Sequence, residues 1–379
     1  MEEWIKCPLG DILNFRRGHD LPKTSMIPGD IPVAGSNGII GFHNVSTPIS
    51  PCITIGRSGN VGTPYIYDKC WAHNTVLYID DYKGNDPKYL YYLLKTLPLA
   101  SFGGGSAVPT LNRNHIHPLE VVFCKDIELQ KKIAGILSKI DDKIELNRQI
   151  NDNLEQQAQA LYKSWFVDFE PFKDGDFVES ELGLIPEGWK VVELGEVTKQ
   201  ITEKVKNRTD VKVLSPVTTG ELVLSEEYFT KQVFSESIAK YIVVKPLQFA
   251  YNPARVNIGS LGMNTFEFDG CVSPVYVVFE CERDYQYFFD YFRKTEAFKE
   301  EVLARAIGGV RQSLSYKDFS LIKLIYPPRT IVEKFNRLYS NILVSINHNK
   351  VEANNLTDMR DTLLPKLMSG ELKINDLDC

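Results

Sequence analysis

Several strings in this sequence carry residue types that could cut or modify a polynucleotide, and each is incomplete. Asp81-Tyr82-Lys83, with Asp68 upstream, matches the D-x-K part of a metal-dependent nuclease core, although a solvated turn accounts for the triplet better. Gly103-Gly104-Gly105-Ser106 has the glycines of a phosphate-cradling loop but not the lysine that reaches the phosphates. The loop Gly56 to Gly62 is glycine-rich, yet no acidic residue follows at the distance a dinucleotide site requires. An amino-methyltransferase would present Asn/Asp-Pro-Pro-aromatic. The nearest string, Asn252-Pro253-Ala254-Arg255, lacks the second proline and the aromatic ring.

Metal chemistry fares no better. The histidines at 19, 43, 73, 115, 117 and 348 form no H-E-x-x-H. His115 and His117 lie two apart, as on one strand face, but no acid or thiol stands at metal-site spacing from them. Seven cysteines, at 7, 52, 70, 124, 271, 281 and 379, are odd in number and contain no C-x-x-C, which suits reduced thiols in a cytoplasm. No catalytic residue and no metal ligand is expected in this chain, and polar residues on loops remain as its chemistry.

Those loops must be carried by something, and the chain repeats its carrier. Trp4…Leu9-Gly10-Asp11 opens the first half and Trp189…Leu194-Gly195-Glu196 the second. Each half then passes a glycine pair (Gly104-Gly105 before Leu111, Gly308-Gly309 before Leu314), a short apolar run (Leu119 to Phe123, Leu321 to Ile325) and a long helical pattern. In the first pattern the positions 133, 137, 140, 144, 147, 151, 154, 158, 161 and 165 alternate 4-3 spacing. Adding 202 to each gives a second list of the same character, with Asn147 and Asn349 on one register. A repeat averaging 3.5 residues is a coiled-coil seam, and an asparagine in it sets register because its amide must find a partner. Helices of roughly 39 residues, about 58 Å long at 1.5 Å per residue, must pack on each other to be stable.

The globular parts read as strand-rich. Ile31 to Ala34, Cys52 to Ile55 and Thr75 to Ile79 are β-prone in the first, with a helix at Pro87 to Lys95. The second has strands around Val211 to Leu214, Tyr241 to Val244 and Val275 to Phe279, and one helix from Tyr285 to Arg305. The expected fold is α+β: two similar mixed α/β domains joined by two long helices in an antiparallel coiled coil with pseudo-two-fold symmetry. Its parts are 1–125 (first domain), 126–166 (helix), 167–188 (an irregular connector), 189–329 (second domain), 330–370 (helix) and 371–379 (tail).

The net charge of −6 argues at first against a nucleic-acid partner. Residues 167–188 alone carry −6, however, while each globular part is +1 and each helical part −1. Distribution, not the total, decides whether a basic face exists. No apolar run approaches the roughly 20 residues of a membrane span, and the N-terminus has no signal-peptide pattern, so a cytoplasmic location is expected.

Three stretches give the chain a resemblance. They are Leu161-Tyr162-Lys163-Ser164-Trp165-Phe166-Val167-Asp168-Phe169-Glu170-Pro171, Gly183-Leu184-Ile185-Pro186-Glu187-Gly188-Trp189 and Leu363-Leu364-Pro365-Lys366-Leu367-Met368-Ser369-Gly370-Glu371-Leu372. With the domain–helix–domain–helix repeat, they are similar to the specificity (S) subunits of type I restriction–modification enzymes. One departure is Pro327-Pro328-Arg329-Thr330-Ile331-Val332-Glu333, where the family often has Pro-Pro-Leu and then Glu-Gln. The resemblance implies two target-recognition domains reading a bipartite, asymmetric site on double-stranded DNA, with the helices as a ruler. It also implies modification (methyltransferase) and restriction (translocase/nuclease) subunits as partners. S-adenosylmethionine, ATP and magnesium would then be bound by those subunits and no cofactor by this chain.

Base reading needs polar side chains on loops that enter a groove. Candidates in the first domain are Arg16, Arg17, Lys23, Asn37, Arg57, Asn60, Thr110, Asn112 and Arg113. Those in the second are Lys206, Arg208, Thr218, Thr219, Arg255, Asn257, Asn264, Arg311, Gln312 and Ser313. Arg57, Arg255 and Arg311 stand out, since arginine beside loop glycines suits a two-pronged guanine contact. Two other classes stay open on sequence alone: an enzyme with a cryptic nuclease or methyltransferase site, and a coiled-coil adaptor that binds no DNA.

Overall fold

The computed structural model describes residues 4–104, 109–229, 231, 233–305 and 313–374. It divides into two compact units, residues 1–150 with 347–379, and residues 151–346. Each unit therefore holds one strand-rich domain and a part of each long helix.

In the first unit, strand Trp4–Pro8 pairs antiparallel with Glu120–Cys124, so the two ends of the domain meet. A four-stranded sheet runs in the order Asn14–Arg17, Val76–Asp81, Cys52–Gly56, Pro64–Tyr67. A smaller sheet orders Gly38–His43, Ile31–Gly35 and Trp71–Ala72, the last pair parallel. Helix Pro87–Thr96 starts on the Asp86 carboxylate, which accepts from the Tyr89 N–H. It covers one face of the larger sheet, where Phe15, Ile53, Ile55, Leu77 and Ile79 are buried with Tyr89, Leu90 and Leu93.

The second unit repeats this plan. Lys190–Glu193 pairs with Lys323–Tyr326. The larger sheet orders Thr198–Ile201, Val277–Cys281, Phe249–Tyr251 and Leu261–Met263; the smaller orders Leu222–Leu224, Lys212–Pro216, Gly270–Val272 and Ile242–Val244. The pair Lys212–Pro216 with Gly270–Val272 is again parallel.

The Leu-Gly-Asp/Glu string has a structural reason. Leu9 and Gly10 donate their N–H groups to Leu119 O and His117 O, both at 2.8 Å. Leu194 and Gly195 donate to Ile322 O and Ser320 O at the same distance. A Cβ on Gly10 would stand 3.0 Å from the His117 Cβ, and one on Gly195 3.0 Å from the Ser320 Cβ. Both leucines are fully buried.

The long helices are Ile127–Phe166 and Arg329–Ser369. The Asp126 carboxylate receives the Glu128 and Leu129 N–H groups and starts the first. Every position of both seam lists is buried or half-buried. In the first unit Arg360 meets Asp141 at 2.8 Å and Glu352 meets Asn147 at 2.8 Å, so the two segments run antiparallel. In the second, Asn151 donates to Ile346 O at 3.3 Å while Tyr162 packs on Phe335, again antiparallel. Gly370 ends the second helix at φ +75°, and the ring of Trp4 lies where its Cβ would be. In the second unit Trp189 packs on Phe166, Phe169 and Phe172 at the end of the first helix. Each opening tryptophan thus seals a helix C-terminus.

Two expectations are corrected. The helix over Tyr285 to Arg305 is two, Gln286–Phe292 and Glu296–Arg305. Arg293 folds back on Asp290, and the Thr295 hydroxyl, which donates to Phe292 O, accepts the Phe298 N–H and restarts the helix. The connector is not wholly irregular, since Phe177–Ser180 and Gly183–Pro186 form a hairpin turned by Gly183 at φ +98°.

Candidate DNA interface

Both domains carry the same pair of joined loops at one end of the larger sheet. In the first, Gly56 donates its N–H to Thr63 O at 3.1 Å and closes the loop between them. In the second, Asn252 donates to Ser260 O at 3.0 Å and does the same. A second segment is fastened to each loop by one leucine N–H, Leu111 to Arg57 O at 2.8 Å and Leu314 to Pro253 O at 3.1 Å. Both leucines are fully buried, so each loop pair hangs on an apolar anchor. This explains why the sequence repeats a leucine at these two places.

In the first domain the pair is tied further by bridges between Ser58 and Thr110 and between Gly104 and Thr110, and by Gly59 N–H to Pro109 O at 3.3 Å. The loop is closed tightly: a Cβ on Gly56 would fall 1.8 Å from Asn60 O, and Gly62 sits at φ +83°. The turn with Asn37 borders it, since a Cβ on Gly59 would lie 3.7 Å from the Ser36 Oγ. Arg57 is half-buried, donating from Nη1 to Asn74 O at 3.3 Å. Burial and the nearby Arg17 hold its guanidinium below the ordinary range. Arg113 donates to Phe15 O at 3.2 Å. Arg17, Asn37, Arg57, Asn60, Thr110 and Arg113 therefore gather at one end of the sheet. Arg16 is exposed on strand Asn14–Arg17 and lies 4.0 Å from Asp80. Lys23 is exposed on a separate 3-10 turn. Asn112 is an N-cap, accepting the Asn114 N–H at 3.0 Å.

In the second domain Arg255 is exposed on the Asn252–Ser260 loop with Asn257 beside it. The turn of Thr218 and Thr219 abuts that loop, for a Cβ on Gly259 would be 2.7 Å from Thr218 O. Ser313 precedes the anchoring Leu314 and is exposed. Arg311 and Gln312, with the Gly308-Gly309 pair, lie outside the described residues.

The remaining candidates stand apart from the loop pair. Asn264 is fully buried; its amide donates to Val244 O at 2.8 Å and Phe268 O at 3.1 Å, and its oxygen accepts the Phe266 N–H at 3.0 Å. It is a structural turn residue, because its side chain stands in for missing backbone partners. Arg208 is forked between Asp210 at 2.5 Å and Asp269 at 2.9 Å, and those carboxylates raise its guanidinium above its ordinary range. Lys206 shares that loop, which is fastened to Tyr241 O and Ala239 O rather than to the Arg255 loop. Asn74 and Asn252 belong to the loop ends and were missed, since nothing in their local strings separates them from other turn residues. Among the described residues no group of three metal-ligating side chains occurs, and no helix is long and apolar enough to cross a membrane.

Residues 1–156 match the model of the type I restriction modification DNA specificity domain. The type I restriction enzyme MjaIX specificity subunit of Methanocaldococcus jannaschii is 29% identical over 307 residues, covering 76% of this chain and 70% of that protein. The HindI specificity subunit of Haemophilus influenzae is 24% identical, covering 65% and 68%. The crystal structure of the S subunit of a type I restriction–modification system from M. genitalium superposes with TM-score 0.63 at 17% identity, covering 96% of each chain, and shows the same fold. With its duplicated domains and paired helix segments, the chain is similar over most of its length to the specificity subunits of type I restriction–modification enzymes, and residues 1–156 match their DNA specificity domain.

Proposed function

We propose that this chain is the non-catalytic recognition subunit of its complex and that each domain reads one half of a bipartite, asymmetric DNA site. The observation that carries this reading is the loop pair. The same backbone bonds hold it in both domains, while the side chains it presents differ: Arg57 and Asn60 in one, Arg255 and Asn257 in the other. A shared scaffold with divergent loops is what two readers of different sequences require. The long helices would then set the spacer between half-sites. Modification and restriction subunits would assemble on this chain and bring S-adenosylmethionine, ATP and magnesium with them.

Exchanging residues 1–125 for the first domain of another family member tests this. Methylation mapped across a genome should change in one half-site and keep the other half and the spacer. A change in both halves, or in neither, would overturn it.

A further inference from the structure

The two domains have the same net charge of +1 but arrange their charges differently. In the second domain several described arginines are met by carboxylates: Arg208 by Asp210 and Asp269, Arg293 by Asp290, Arg305 by Glu301 and Arg329 by Asp284. Arg255 is the exception at its loop. In the first domain Arg17, Arg57 and Arg113 have no carboxylate within 4.0 Å among the described residues, and Arg57 and Arg113 are held by the neutral carbonyls of Asn74 and Phe15.

Strand register brings these three together. Arg17 lies opposite Leu77, which lies opposite Ile55, two residues before Arg57. Residues directly opposite share a face, so Arg17 and Ile55 lie on one face at the same end of the sheet, and Arg57 follows in the loop just past that strand, close enough to feel the Arg17 charge. Arg113 reaches that end through Phe15, two residues before Arg17. The nearest acids are occupied: Asp20 accepts from the Asn74 amide, and Asp80 accepts from Asn14 at 2.6 Å and faces Arg16. Burial and Arg17 together lower the Arg57 guanidinium, and burial, Arg113 and Lys83 lower the His117 imidazole against the opposing Asp80, so positive charge outweighs the nearby acid here. A cluster of arginines without carboxylate partners on a glycine-rich loop pair suits an anion with several acceptor oxygens.

Resting on the DNA-reading function, we infer that Arg17, Arg57 and Arg113 are the main phosphate grip of the chain, so that the first domain supplies the salt-sensitive share of its affinity for DNA. Both domains would still read bases, the second with fewer unpaired arginines at its loop pair.

The test is the salt dependence of binding of the full chain to a random-sequence duplex, followed from about 50 to about 200 mM salt. Each of R17Q, R57Q and R113Q should lower the slope of log affinity against log salt by about one, because each removes one phosphate contact. R255Q and R208Q should leave it nearly unchanged, and R57K, which keeps the charge, should retain the wild-type slope. A thermal melt of each variant separates loss of contact from loss of fold, and the comparison rests on whichever of the three glutamine variants keep the wild-type melt. Binding that keeps its slope in R17Q and R57Q, or loses it equally in R255Q, overturns the inference alone. No binding of any duplex by the unaltered chain overturns the DNA reading, and the inference with it.

Discussion

Asn147 donates from Nδ2 to the Glu352 carboxylate at 2.8 Å across the helix pair of the first unit. Asn147 is 1% exposed, and its Oδ1 has no partner among the described residues. Glu352 also takes Lys143 at 3.2 Å, and the Asn147 and Lys143 contacts hold its carboxyl below the ordinary range. The seam asparagine thus pairs with an acid on the rim of the partner segment. One half of its amide is satisfied and the other half is desolvated without return. An arrangement of this kind sets register at a cost in stability.

The first prediction follows. Asn147→Leu should leave stability unchanged or raise it by about 1 kcal/mol, because an apolar side chain suits the seam and relieves the unpaired oxygen. Urea midpoints of the purified chain measure this. A loss beyond about 2 kcal/mol would mean that the Glu352 bond stabilises the pair more than burial of leucine does. In the same variant the length of the methylated site's spacer should become less uniform, since register is what the amide sets.

The recognition loop gives the second. Gly56 has no room for a side chain, its Cβ position lying 1.8 Å from Asn60 O. Gly56→Ala must open the loop while the sheet beneath keeps its core. Affinity for the site should fall roughly tenfold or more, equivalent to about 1.4 kcal/mol, with only a small change in melting temperature. Binding to duplexes altered in one half-site at a time locates the loss. Equal affinity for mutant and wild type would remove this loop from the interface.

How much of this was legible in the sequence depends on the range of the interactions. The helices and the Leu-Gly repeats were legible because periodicity and a required glycine are local signals, as Gly10 against His117 and Gly195 against Ser320 illustrate. The break at Arg293 was not, because an aromatic run from Tyr285 to Phe298 hides it and the cause is a side-chain bond to Asp290. Asn264 looked like any loop asparagine, and only the strands around it reveal that its amide replaces backbone bonds. Lys206 and Arg208 lie on a loop whose neighbours, Tyr241 and Asp269, are far away in sequence. The joining of Arg57 to Leu111 is likewise long-range, so the candidates could be named one by one but not grouped.

The third prediction concerns pH. Asp290 is 7% exposed, and Arg293, whose side chain is 8% exposed, bonds it at 2.6 Å with Lys294 at 3.1 Å. Burial pushes its carboxyl up, but Arg293 and Lys294 outweigh burial and leave it below its ordinary 3.8. A depressed carboxyl stabilises the fold above its unfolded value and loses that contribution as pH falls through the folded one. Asp290→Ala should therefore cost about 3 to 5 kcal/mol at neutral pH, because it strands a buried guanidinium. Its deficit relative to wild type should stay constant from about pH 8 to pH 5 and narrow below about pH 4. Urea midpoints across that range decide it; a deficit that widens in acid would contradict the assignment.

The last prediction uses the duplication as its own control. Thr54 is fully buried between Tyr65 and Tyr78 on the neighbouring strands, and its Oγ1 has no partner among the described residues. The cross-strand register places Ala250 at the same point of the second domain's larger sheet, where the chain carries no hydroxyl at all. A buried hydroxyl without a partner forfeits its hydration for nothing, whereas a methyl of the same shape does not. Thr54→Val keeps the β-branch that suits the strand and should stabilise the first unit by about 1 kcal/mol. Its cross-strand partner Tyr78 and its same-face strand neighbour Cys52 belong to an apolar cluster with Cys70 and Val76, so the added methyl meets like surface. The gain should appear as a higher urea midpoint with an unchanged slope, and DNA affinity should not move because Thr54 lies in the core beneath the loops. A fall in stability of about 1 kcal/mol or more would show that the hydroxyl is bonded in solution, and would make the difference between Thr54 and Ala250 a functional one.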